Sequence, residues 1–156
     1  MGVESNNLIQ TKTFSGATLS SDGTVVLLTN RIDIELNEAF IEMYDIKTKV
    51  FRKLNVPYKF KIDEFCSILP DEDNCFWLIP FKSNKLVHLD LKTLEFKEFF
   101  IPQEIVEVSG SISLGACFSP SGNILISPYE MSCLLEFDIK TKKFVRCPHN
   151  ESSSLS

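Results

Sequence analysis

An all-β chain of β-propeller type, built as three four-stranded antiparallel blades, is what this sequence predicts, and three observations predict it. First, one short pattern occurs three times: Tyr44-Asp45-Ile46-Lys47-Thr48-Lys49-Val50-Phe51, Leu89-Asp90-Leu91-Lys92-Thr93-Leu94-Glu95-Phe96 and Phe137-Asp138-Ile139-Lys140-Thr141-Lys142-Lys143-Phe144. Second, the aspartates at 45, 90 and 138 give spacings of 45 and then 48 residues. A repeat of that size with strand-like content belongs to propeller blades rather than to helical solenoids. Third, a turn between two apolar runs precedes each aspartate: Ser20-Ser21-Asp22-Gly23, Pro70-Asp71-Glu72-Asp73-Asn74 and Ser119-Pro120-Ser121-Gly122-Asn123. A proline follows each copy, at Pro57, Pro102 and Pro148.

The elements follow in order. Residues 1–13 form an N-terminal segment, and Leu8-Ile9-Gln10-Thr11-Lys12-Thr13-Phe14 can add a strand to a ring closure. The first blade spans residues 14–57, with strands expected near 13–19, 24–30, 39–44 and 50–56. The second spans 65–102, with strands near 65–69, 75–80, 85–89 and 95–101. The third spans 113–148, with strands near 113–118, 124–127, 133–137 and 143–147. Residues 149–156 read as a polar tail. The second strand of each blade is a continuous apolar run: Val25-Val26-Leu27-Leu28, Cys75-Phe76-Trp77-Leu78-Ile79 and Ile124-Leu125-Ile126. Such runs fit strands covered on both faces, as in stacked blades.

The third and fourth strands form a hairpin around Asp-x-Lys-Thr. An aspartate at a turn start accepts from backbone N–H groups two or three residues on. Phe51, Phe96 and Phe144 each sit six residues past the aspartate and read as core anchors beneath the hairpin. The first copy carries about six extra residues, at Arg31-Ile32-Asp33-Ile34-Glu35-Leu36-Asn37-Glu38, and insertions in repeat proteins map to loops on one face.

The hairpin matches apolar-x-x-Asp-x-x-Thr-x-x-aromatic at Asp45, Thr48 and Phe51, at Asp90, Thr93 and Phe96, and at Asp138, Thr141 and Phe144. In this the chain resembles the blades of kelch, NHL and YVTN-type propellers over most of residues 14–148. The Gly-Gly pair of a kelch blade is missing, and the single Trp77 is followed by Leu78 rather than by the aspartate of a WD-type blade. Family-specific functions are therefore not carried over.

Propellers close with four to eight blades. Three blades leave open faces and sheet edges. A second copy could close a six-bladed ring with twofold symmetry, a different protein could supply the missing blades, or the chain could be part of a longer product. A homodimer is the favoured expectation.

Composition narrows the function classes. The net charge of −5 argues against nucleic acid or an anionic membrane as the main partner. No apolar stretch approaches the length that spans a bilayer. The polar start Met1-Gly2-Val3-Glu4-Ser5-Asn6 lacks a signal-peptide pattern and puts Asn6 where myristoylation wants Ser or Thr, so a cytoplasmic protein is expected. The five cysteines, at 66, 75, 117, 133 and 147, show no CxxC spacing and read as reduced, mostly buried thiols.

Candidate binding residues come from the loops between second and third strands and from the blade connections, the face where the propeller resemblance implies ligands bind. They are Arg31, Asp33, Glu35, Phe81, Lys82, Tyr129 and Glu130. Mixed charge with aromatic anchors suits recognition of a protein partner. His88 shares its repeat position with Met43 and Glu136 and reads as a partly exposed strand residue. Asp71-Glu72-Asp73-Asn74 lacks the alternating spacing of a calcium loop and reads as a turn. No phosphate-cradling glycine loop and no G-x-S-x-G elbow occurs. The innermost strands carry no charge or histidine, which disfavours catalysis. The expected function is a non-catalytic protein-interaction scaffold without cofactor or metal; the alternative is a propeller enzyme of lactonase or lyase type with its site in a central channel.

Overall fold

The computed structural model describes residues 12–20, 23–31, 38–61, 63–105, 111–129 and 133–147. Thirteen strands lie among them, in three antiparallel sheets. The first sheet runs β1 (Lys12–Leu19), β2 (Val25–Arg31), β3 (Glu38–Asp45) and β4 (Val50–Lys53), with β5 (Phe60–Lys61) also paired to β3. The second runs β6 (Phe65–Pro70), β7 (Cys75–Pro80), β8 (Lys85–Asp90) and β9 (Phe96–Phe100). The third runs β10 (Ser113–Phe118), β11 (Ile124–Pro128), β12 (Leu134–Asp138) and β13 (Lys143–Cys147). The first sheet thus departs from four strands. β4 covers only Glu42–Asp45 of the long β3, and β5 takes up the remaining edge at Glu38 and Ala39.

The repeated hairpin forms as its residues dictate. Oδ1 of Asp45 accepts from the backbone N–H of Lys47 (2.8 Å) and Thr48 (3.0 Å), Asp90 from Lys92 (2.7 Å) and Thr93 (3.2 Å), and Asp138 from Lys140 (2.8 Å) and Thr141 (3.0 Å). Those bonds pull all three carboxyls below the usual carboxylate pKa, Thr48, Lys92 and Thr141 being the strongest donors. The chain reverses through a left-handed residue at Lys49, Leu94 and Lys142, with φ of 58°, 59° and 59°. Each of these donates its N–H back to the carbonyl of its aspartate at 2.8 Å.

The preceding turns are equivalent too. Ser20 Oγ caps Thr24 N–H at 3.1 Å and Ser119 Oγ caps Asn123 N–H at 3.1 Å, with Gly23 and Gly122 at φ of 85°. The second sheet has no glycine there and closes with a short 3-10 turn, Glu72–Asn74, with Asp73 and Asn74 at φ of 55° and 65°.

Two cores sit between sheets. Ile41 and Phe60 meet Phe65, Ile68, Phe76, Leu78, Val87 and Leu89 at one junction. Trp77, Ile79, Leu86 and Ile101 meet Ile112, Ile124, Ile126, Leu135 and Phe137 at the other. Alternate residues of β7 therefore face opposite neighbours, which is why the strand is apolar throughout. Each innermost strand has a register shift at the same place, after Phe14, Phe65 and Ser113. At Gly16 an added Cβ would lie 3.0 Å from Ser67 Cα and 3.1 Å from Ile68 N, so β1 and β6 approach closely there.

The three repeat phenylalanines are not equivalent anchors. Phe96 and Phe144 pack part-buried against the two cores. Phe51 is 51% exposed, a correction to the expected core role. Among the described residues, no sheet packs over that face of the first sheet.

Candidate functional site

The β7–β8 loop and the segments that enter β6 and β10 meet at one end of the sheets. Phe81 N–H donates to Glu64 C=O (2.9 Å), Ile112 N–H to Phe81 C=O (2.7 Å) and Tyr129 N–H to Ile112 C=O (3.1 Å). This chain of bonds ties the β7–β8 loop to the segments entering β6 and β10. It brings Phe81 and Tyr129 together with ring centroids 6.1 Å apart, edge to face. Tyr129 is half exposed. Lys82 Nζ lies 5.7 Å from the Phe81 centroid and 2.9 Å from Asp63 Oδ2. Three of the seven expected binding residues thus meet. Arg31 ends β2, remote in sequence from the others, while Asp33, Glu35 and Glu130 lie outside the described residues.

Beside them is a charged network that the repeats did not reveal. Glu64, just before β6, is 7% exposed. Its Oε1 accepts from Tyr58 Oη–H (2.9 Å) and pairs with Lys85 Nζ (3.1 Å), and its Oε2 accepts from Lys61 N–H (3.0 Å). Lys85 Nζ also donates to Glu98 Oε1 (2.8 Å) and to Tyr58 Oη, and lies 4.6 Å from the Tyr58 ring centroid. Burial pushes the Tyr58 phenol up to about 12, so it stays protonated. Burial works against the Lys85 cation, but hydrogen bonds to Glu98, Tyr58 and Glu64 outweigh it and raise its pKa. A cleft of about 340 Å³ opens over this network, lined by Lys61, Glu64, Lys82, Ser83, Asn84, Lys85 and Phe100. Each carboxylate here already has a lysine partner: Asp63 has Lys82, and Glu64 and Glu98 have Lys85. The side chains available to a ligand are the exposed Lys61 ammonium, Lys82, Ser83 and Asn84.

A second cluster lies at the opposite end of the middle sheet. Asp71 Oδ2 accepts from Trp77 Nε1–H (2.9 Å) and meets His88 Nε2 at 2.9 Å. The expected simple turn is therefore also a clamp on a buried tryptophan, and His88 has a partner in Asp71 that the sequence did not reveal. The Trp77 and His88 ring centroids are 4.4 Å apart. All five thiols are free. Only Cys133 is buried and Cys117 is exposed, which corrects the mostly buried expectation. Burial raises the pKa of Cys66, Cys75 and Cys147, away from thiolate reactivity. Among the described residues no group of three or more His, Cys, Asp or Glu is placed to hold a metal, and no helix is long and apolar enough to cross a membrane.

No protein-family model matches the sequence, and no curated protein matches it either. Solved structures do resemble it. A catalytically inactive virginiamycin B lyase from Staphylococcus aureus, solved with quinupristin, aligns over 94% of this chain and 45% of its own, with TM-score 0.66 and 16% identity. A streptogramin B lyase aligns over 86% of this chain and 40% of its own, with TM-score 0.62 and 18% identity. A luciferin-regenerating enzyme aligns over 94% of this chain and 50% of its own, with TM-score 0.62 and 15% identity. The chain spans 40% to 50% of the length of these three structures. Identities this low speak for the fold alone, and that fold is all-β and of β-propeller type.

Proposed function

We propose that this chain supplies half the ring of a propeller enzyme that acts on a small molecule, of lactonase or lyase type, with the substrate entering at the connection-loop face. This sets aside the expected non-catalytic scaffold as the leading reading. The observation that carries it is the cleft beside the Tyr58–Glu64–Lys85–Glu98 network. There, Lys85 is locked in place and its neighbours Lys61, Lys82, Ser83 and Asn84 border an open volume of ligand size. The likeness to two lyases and a luciferin-regenerating enzyme supports the same class by analogy.

The chemistry of the cleft limits what this half contributes. Lys85 and Tyr58 are both protonated at neutral pH, and the carboxylates are paired, so no described group in the cleft is poised as a base. Lys61 and Lys82 can hold a carbonyl or carboxylate oxygen of the substrate and stabilise negative charge that develops on it. The proton-abstracting group would then come from the rest of the ring. Titration calorimetry with simple lactones and their ring-opened hydroxy acids tests this. Binding that is lost in a Lys61→Met/Lys82→Met variant supports the reading. Failure of every such ligand to bind, or binding indifferent to that variant, overturns it.

One observation favours a second reading, a protein-interaction face. Phe81 and the half-exposed Tyr129 stand together at the surface with Lys82 beside them, the composition of a small recognition hot spot. Loss of partner capture in Tyr129→Ala, with the lactone binding intact, would assign the two faces separate roles.

A further inference from the structure

We infer that the two outermost sheet faces of this chain are built for each other, so that a second copy closes the ring with twofold symmetry. The inference does not depend on which ligand the loops accept. It comes from the junction between the second and third sheets, whose described contact positions can be traced through the repeat.

At that junction the third sheet presents Phe137 and Phe144, one residue before and six after the hairpin aspartate, with ring centroids 4.7 Å apart. Phe137 seats 5.6 Å from Trp77 and 5.1 Å from Phe99. The same positions of the first sheet hold Tyr44 and Phe51, with centroids 4.6 Å apart. Phe51 and Leu19 beside this pair are 51% and 56% exposed. The receiving positions, Trp77 and Phe99 in the second sheet, correspond to Leu125 and Cys147 in the third. Both are smaller, and Val145 on that face is 52% exposed. One outer face therefore carries a large aromatic pair and the other carries smaller side chains at the receiving positions.

Charge follows the same rule. Lys142, four residues past its aspartate, reaches across to within 5.7 Å of the Trp77 centroid and 5.5 Å of Phe99. Trp77 is cross-strand partner to His88, two residues before its own aspartate. In the outer faces these positions hold Lys49, which is exposed, and Glu136, cross-strand partner to Leu125. Repeating the junction geometry brings Lys49 of a second copy against Glu136 of the first. Asn123 Nδ2 donates to Glu136 Oε1 at 2.7 Å and holds that carboxylate on the face. At the first junction, the same two positions are Met43 and Leu94, both apolar. At the second junction they are His88 and Lys142, so of the three pairings only the outer one, Glu136 with Lys49, sets acid against base. Each copy carries one face of each kind, so a twofold dimer forms both junctions at once and leaves no open face.

Sedimentation equilibrium of the full chain at micromolar concentration tests this. The expected mass is twice 17.7 kDa. Glu136→Lys and Lys49→Glu should each weaken dimerisation at least about tenfold, because each sets like charges together at both junctions, and the double variant should restore it. If either single variant unfolds by far-UV spectroscopy, Val145→Arg on the same face takes its place, with the same loss expected. A monomeric parent chain, a dimer indifferent to these changes, or a double variant that fails to recover would each overturn the inference.

Discussion

Replacing Lys85 by Met isolates the network beneath the cleft. The native Glu64 carboxylate is 7% exposed and has three donors: Tyr58 Oη–H, Lys61 N–H and the Lys85 ammonium. Met keeps most of the stem volume but removes the charge, leaving Glu64 and Glu98 without their shared cation. Breaking a buried pair costs roughly 3–5 kcal/mol. Two neutral donors remain on Glu64, and the Lys85 side chain retains 18% exposure, so the lower end applies, about 3 kcal/mol. Adding Glu64→Gln removes the stranded charge, and the double variant should recover about 1–2 kcal/mol of that loss as coupling. Urea unfolding at pH 7 and one fixed protein concentration measures all four species. The pH dependence supplies a second check. Lys85 and Tyr58 both have raised folded pKa values, so their contribution is complete below the unfolded values near 10 and is lost as pH rises through the folded ones. The parent should weaken on the alkaline side, above about pH 10, more steeply than Lys85→Met. A single-variant loss below about 1 kcal/mol, or strict additivity with Glu64→Gln, would show the network to be a solvent-screened surface pair and refute the reasoning.

Three further outcomes are expected. Phe137→Ala should cost about 3–5 kcal/mol in denaturant unfolding, since the ring is fully buried among Trp77, Phe99 and Phe144; a shift under about 1 kcal/mol would contradict the second core. Gly16→Val should destabilise the β1–β6 approach by about 1–3 kcal/mol, because its Cβ has only backbone neighbours that cannot step aside, and hydrogen exchange in β6 should accelerate with it. Asp90→Asn should flatten the acid limb of the stability curve. The folded carboxyl is depressed, so its contribution is full above the unfolded pKa near 4 and fades as pH falls through the folded value, whereas a variant as acid-sensitive as the parent would exclude the turn from that limb.

The hairpins were legible because their physics is local. Asp45, Asp90 and Asp138 bond to N–H groups two and three residues away, and such bonds repeat wherever the residues repeat. The apolar second strands were legible for a related reason, since a strand covered on both sides has no polar alternation to hide. The misreadings have non-local causes. Phe51 occupies the same sequence position as Phe96 and Phe144, yet it is 51% exposed, because burial is set by which sheet packs over a position and no described sheet packs over this one. The extra strand β5 follows from the unequal lengths of β3 and β4, a property of pairing that residue types do not announce.

The candidate site is the extreme case. Tyr58, Glu64, Lys85 and Glu98 occupy no common repeat position, and each alone looks like an ordinary surface residue. Only the stacking of the first two sheets brings the connection carrying Tyr58 over the start of β8. Burial then makes the charges interdependent, because a desolvated Glu64 requires Lys85, and Lys85 in turn is held by Glu98. Under the proposed dimer the same stacking logic would apply to Lys49 and Glu136, which are unremarkable in sequence and meet only if the Trp77–Lys142 junction is repeated between two copies. Repeats therefore reveal the blade, while the chemistry arises where unlike positions of successive blades are pressed together.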